Sequence, residues 1–62
     1  MHEDLKIKFI SIYSNLPLNI RKEIIALLEN EPISWNVAYL EIKGDTKKGD
    51  QILKNLEQLR IL

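Results

Sequence analysis

Twenty of the 62 residues are Ile or Leu and none is Cys. A chain this short buries only about 60 % of the surface that its unfolded state exposes. Without a thiol there is no disulfide and no thiolate metal site to supplement the core. Stability must therefore come from where the branched aliphatic side chains fall along the chain. No apolar run approaches the roughly 18 residues of a membrane span. The start, Met1-His2-Glu3-Asp4, is acidic and lacks a signal-peptide pattern, so a cytoplasmic location is expected. Nine basic and nine acidic residues cancel, which excludes a strongly basic, histone-like chain.

The spacing of apolar residues predicts an all-α fold: a single compact domain, residues 1–62, of three to four short helices at about 3–14, 18–29, 34–43 and 46–60. Leu5, Phe9, Ile12, Tyr13 and Leu16 form a helical stripe. Glu3 and Asp4 open that helix, where the macrodipole favours acids. Asn15-Leu16-Pro17 closes it, because the residue before proline is pushed out of the α region. Pro17 suits the first turn of a second helix, with Ile20, Ile24, Leu27 and Leu28 as its apolar side and Asn30-Glu31-Pro32 as its stop. Ser34 is a candidate N-cap for a third helix, with Trp35, Ala38, Tyr39 and Ile42 facing inward. Gly44 is placed to follow it with a positive φ. Residues 37–42 also fit a strand, since Val, Tyr and Ile favour sheets; cap, stripe and glycine stop favour helix. Asp45 or Thr46 caps the last helix, whose apolar side holds Gly49, Ile52, Leu53, Leu56 and Leu59. A glycine kept inside a helix, at a cost of about 1 kcal/mol against Ala, implies that another element approaches closely, with Trp35 or Tyr39 the expected neighbour.

Two surfaces stand out. On the first helix, at roughly 100° per residue, Ile10 and Ile7 fall near ~140° and ~200° from Leu5, whereas the stripe centres near ~25°. Either the helix is sandwiched inside the domain, or Ile7, Ile10 and Ser14 form a homodimer or partner interface. On the last helix, Lys47, Gln51, Lys54 and Gln58 form a stripe without an acid. Lys and Gln meet phosphates and base edges in a DNA groove, although such a face is also an ordinary solvated one. Lys43 to Arg60 holds five basic and three acidic residues, so double-stranded DNA binding would require a dimer.

From Ile20 onward the order of features resembles a helix-turn-helix domain of the winged-helix type. Ile20 to Leu28 resembles that family's first helix. Pro32-Ile33-Ser34 resembles its short extended segment, and Trp35 to Lys43 its second helix. Ile52-Leu53-Lys54-Asn55-Leu56-Glu57-Gln58-Leu59-Arg60-Ile61-Leu62 resembles the end of its recognition helix. Arg60 stands where the family has Gly, and the wing is absent. The resemblance implies a groove-facing set of Thr46, Lys47, Lys48, Gln51 and Lys54. The whole chain is also similar to short archaeal proteins with an "LPL…RKE…PISWNVAY" run. Some archaeal proteins of this size are antitoxins, an analogy that suggests a DNA-binding or dimer module joined to a toxin-binding segment.

Nothing in the sequence points to catalysis. Ser11, Ser14 and Ser34 have no candidate base except His2, a lone histidine cannot build a metal site, and two glycines do not make a phosphate loop. Neither cofactor nor metal is expected. Two function classes remain: a non-enzymatic helix-turn-helix-like regulator or antitoxin-type module acting on DNA as a dimer, or a protein-interaction subunit docking a larger partner without nucleic-acid contact.

Overall fold

A computed structural model describes residues 3–62; His2 lies outside them. Helix α1 spans Glu3–Ser14. It ends where Asn15 and Leu16 N–H groups donate to Ile12 and Tyr13 carbonyls at 3.1 Å, just before Pro17. Pro17 does open a helical turn, its carbonyl accepting from Ile20 N–H at 3.0 Å. That turn goes no further than a 3₁₀ segment, Ile20–Lys22. The expected helix over 18–29 is replaced by strand β1, Ile24–Leu28, paired antiparallel with strand β2, Glu31–Ser34. The all-α expectation is thus corrected: the described chain has three α-helices and a two-stranded sheet, a mixed α/β fold.

The physical reason lies in five consecutive apolar residues. As a helix, Ile24–Leu28 would bury one side and leave Ile25 among the charges. As a strand with a bulge between Ile24 and Ala26, it turns both Ile25 and Ala26 toward the core. The two-residue connection carries positive φ at Glu29 (52°) and Asn30 (68°), as a type I′ turn requires. Pro32 sits opposite Leu27. In a hairpin closed by a hydrogen-bonded Leu28–Glu31 pair, the Leu27–Pro32 pair is a non-bonded one, so proline's missing N–H costs the ladder nothing. What reads locally as a helix stop is a hairpin turn.

Helix α2, Trp35–Lys43, follows β2 directly, with Ser34 Oγ accepting Val37 N–H at 3.1 Å. Helix α3, Lys47–Gln58, starts after a tight corner. Gly44 does not take the left-handed position; its φ is −78°, and Asp45 takes it at 55°. Asp45 N–H then donates to Ile42 and Thr46 N–H to Glu41, the pair of bonds of a Schellman motif. Thr46 Oγ1 accepts Gly49 N–H at 2.9 Å, capping α3. The same motif ends α3, with Arg60 left-handed at 62° and the bonds Arg60 to Glu57 and Ile61 to Leu56. Arg60 therefore occupies a position glycine fills without strain.

Each α-helix and each strand gives the core at least one buried side chain: Phe9 from α1, Ala26 and Ile33 from the sheet, Ala38 and Ile42 from α2, and Ile52, Leu53 and Leu56 from α3. Gly49 is the close-packing point, but its neighbour is the backbone of α2 rather than Trp35 or Tyr39. A Cβ there would lie 2.6 Å from the Glu41 carbonyl carbon and 2.9 Å from Ile42 N.

Two stability predictions follow from these backbone positions. Gly49→Ala gains helix propensity, yet is expected to lower unfolding stability by about 1–3 kcal/mol, because backbone cannot yield as a side-chain tip does. Arg60→Gly is expected to raise it by about 1 kcal/mol by relieving a left-handed non-glycine residue. Urea unfolding followed by circular dichroism measures both.

Candidate functional site

Tyr13 and Tyr39 join α1 to α2 by stacking at 4.2 Å and 8°. Arg21 covers Tyr13 at 4.4 Å and Lys43 covers Tyr39 at 5.5 Å. Tyr13 Oη donates to Asn36 Oδ1 at 2.6 Å. Trp35 stacks on the buried Phe9 at 5.6 Å. Trp35 is thus packed against the core. Arg21 also donates to the Ser14 carbonyl at 3.4 Å, holding the 3₁₀ turn against the end of α1.

The stripe Lys47, Gln51, Lys54 and Gln58 lies exposed along α3. One of its two lysines has an acid partner, as does Lys48 beside it. Lys54 pairs with Asp50 at 3.4 Å, one turn earlier. Lys48 pairs with Glu31 of β2 at 2.9 Å. Lys47, Lys48 and Gln51 share a groove with Leu28, Glu29 and Glu31 of the hairpin, so acids of the tip flank the first turn of α3. Thr46, assigned to the groove by resemblance, uses its hydroxyl as the α3 cap and donates to Glu41 Oε1 at 2.6 Å. The structure thus brings Lys47, Lys48 and Gln51 together, and ties Lys54 to Asp50 and Thr46 to the corner.

Ile7, Ile10 and Ser14 do not make one apolar face. Ile7 is 64 % exposed, Ile10 packs against the core, and Ser14 Oγ donates to the Ile10 carbonyl at 2.8 Å. Lys6, one residue before Ile7, pairs with Asp45 at 2.6 Å.

The hairpin presents a surface that helix periodicity conceals. Ile24 and Leu27 of β1 are 55 % and 63 % exposed. Among the described residues, no backbone hydrogen bond outside the β1–β2 pairing, and no side-chain bond, reaches residues 24–28. By the alternation of an antiparallel ladder, the Leu27 N–H and C=O point away from β2. The strand carries no charge and no proline. The opposite edge belongs to β2, which has Glu31 and Pro32, two devices that discourage edge pairing. The sequence signal for this surface was the unbroken apolar run followed by Asn30.

Among the described residues no three His, Cys, Asp or Glu side chains converge as a metal site, and no helix is long and apolar enough to cross a membrane. No protein-family profile, curated protein or solved structure matches the chain.

The hydrogen bond that Lys6 Nζ donates to the Asp45 carboxylate raises the ammonium above its usual 10.5, against a smaller opposing effect of partial desolvation. Glu31 raises Lys48 in the same way. Because the folded values lie above the unfolded one, both pairs contribute fully below pH 10.5 and fade as pH climbs through the raised values. Glu31→Gln is expected to lower the Lys48 titration and leave Lys6 raised, read from side-chain NMR shifts across the alkaline range.

Proposed function

We propose that the chain is a non-enzymatic protein-interaction module that engages its partner by strand addition at the open edge of β1. The observation that carries this reading is the asymmetry of the hairpin. One edge bears Glu31 and Pro32; the other is an uncharged apolar strand with unpartnered backbone and two exposed side chains. Exposed apolar edges of this kind template pairing with another chain, and strand addition is a recurring recognition mode in which main-chain bonds give affinity and alternate side chains give specificity.

The second reading is a helix-turn-helix-like regulator or antitoxin-type module that places α3 on duplex DNA as a dimer. The exposed Lys47, Gln51, Lys54 and Gln58 stripe supports it. The ion pairs of Lys48 with Glu31 and Lys54 with Asp50 weigh against it, since a phosphate would have to displace both acids and face Glu29 besides. Phosphate contact is the main source of duplex affinity, so a charge-balanced face is a poor reader.

A photo-crosslinking residue at position 27 is expected to give protein adducts in cells, and one at position 51 no nucleic-acid adducts. Purified chain at micromolar concentration is expected not to bind duplex DNA at about 50 mM salt. Nucleic-acid adducts at position 51, with duplex binding that weakens steeply with salt and is lost in Lys47→Gln/Lys54→Gln, would replace the interaction reading by the DNA one.

A further inference from the structure

Strand β1 is bracketed by opposite charges. Arg21, Lys22 and Glu23 precede it and Glu29, Asn30 and Glu31 follow it; with Arg21 over Tyr13 and Glu31 paired to Lys48, Lys22 and Glu29 are the opposite charges that face outward at its two ends. Lys22 and Glu29 are exposed and neither is ion-paired among the described residues. If two copies of β1 pair antiparallel, the basic flank of each runs beside the acidic flank of the other, at both ends of the pairing. Parallel pairing would set like charge against like. Resting on the strand-addition reading, we infer that the occupant of the β1 edge is a second copy of this chain, related by a two-fold axis, in the order β2–β1–β1–β2.

Four observations agree with that occupant. The formal net charge is zero, so no overall repulsion opposes two copies meeting. A two-fold axis needs a self-complementary patch, and an antiparallel strand edge with opposite charges at its ends is one. Leu27 and Ile24 of one copy gain cover from Ile24 and Leu27 of the other, because a two-fold axis normal to the sheet keeps both pairs on the outer face. The β2 edge, with Pro32 lacking an N–H, offers a weaker alternative. The extent of the contact also bounds its strength. A standard interface covers about 800 Å² per partner, nearly a fifth of the 4285 Å² surface. Pairing of a five-residue strand covers less, which places the dimer among weak, reversible ones.

Sedimentation equilibrium of the full chain over roughly 1–300 μM tests this, with an expected monomer–dimer constant on the order of tens of micromolar. A chain of this length is accessible to total synthesis, so the Leu27 amide can be N-methylated. That removes one outward N–H and leaves the Leu27–Pro32 pair intact; it is expected to weaken dimerisation at least about tenfold with an unchanged far-ultraviolet circular dichroism spectrum. Lys22→Glu and Glu29→Lys are each expected to weaken it roughly three- to tenfold, the range of two symmetry-related cross-strand charge pairs. The double variant Lys22→Glu/Glu29→Lys is expected to restore the wild-type constant, since it exchanges the charges of the two flanks. A monomer throughout the range, a dimer indifferent to N-methylation, or a double variant no better than the singles overturns the second copy as occupant. If the chain is monomeric while crosslinks from position 27 reach other proteins, the second copy falls and strand addition stands. If position 27 gives no protein adducts at all, strand addition falls with it.

Discussion

The approach of α3 to the backbone of α2 at Gly49 sets the position of everything packed around it. Only the absence of a Cβ lets the helices come this close. Their separation is then held by the corner between them, where two Schellman bonds close α2 and the Thr46 hydroxyl caps α3. Thr46 also donates to the Glu41 side chain, so the residue that starts α3 is tied to the turn of α2 that Gly49 touches. Cap, corner and close contact form one unit. With it fixed, Ile42, Ile52, Leu53 and Leu56 join Phe9, Ala26, Ile33 and Ala38 in one buried cluster.

The hairpin closes the remaining side of that core with little material. A type I′ turn matches the natural twist of two strands, and the bulge delivers Ile25 and Ala26 to the interior in succession. Two strands alone are marginal in water; here they are backed by helices. The cost is an open edge. One side of the sheet is blunted by Glu31 and Pro32, while Ile24 and Leu27 on the other remain in water. Ile24 and Leu27 are thus exposed apolar side chains that share one uncharged strand.

Charge is distributed with the opposite effect. Lys6, Lys48 and Lys54 each have an acid within 4 Å, and the tyrosine pair is covered by Arg21 and Lys43. Lys54 of the α3 stripe meets an acid of its own helix, and Lys48 beside the stripe meets Glu31 of the hairpin. Through its pair with Glu31, Lys48 ties the first turn of α3 to the hairpin.

Local patterns along the chain were sufficient for α1, α2 and α3. Their apolar stripes, the acidic start of α1, the Ser34 and Thr46 caps and the stops at Pro17 and near Gly44 act within a few residues, and short-range signals of that kind survive folding. The need for close approach at Gly49 was also legible, because a glycine inside a helix is costly unless something touches it. Its partner, the Glu41 backbone, was not, since that depends on how two helices cross. Ile24–Leu28 was decided by tertiary structure. Isolated, Arg21 to Leu28 has good helix formers and a helical spacing; paired with Glu31–Ser34, it buries Ala26 and joins Ile25 and Leu28 to the core. The same long-range pairing brought Glu31 to Lys48 and left the β1 edge open. Periodicity within one segment cannot report any of these, because each arises from residues that meet only when the chain folds.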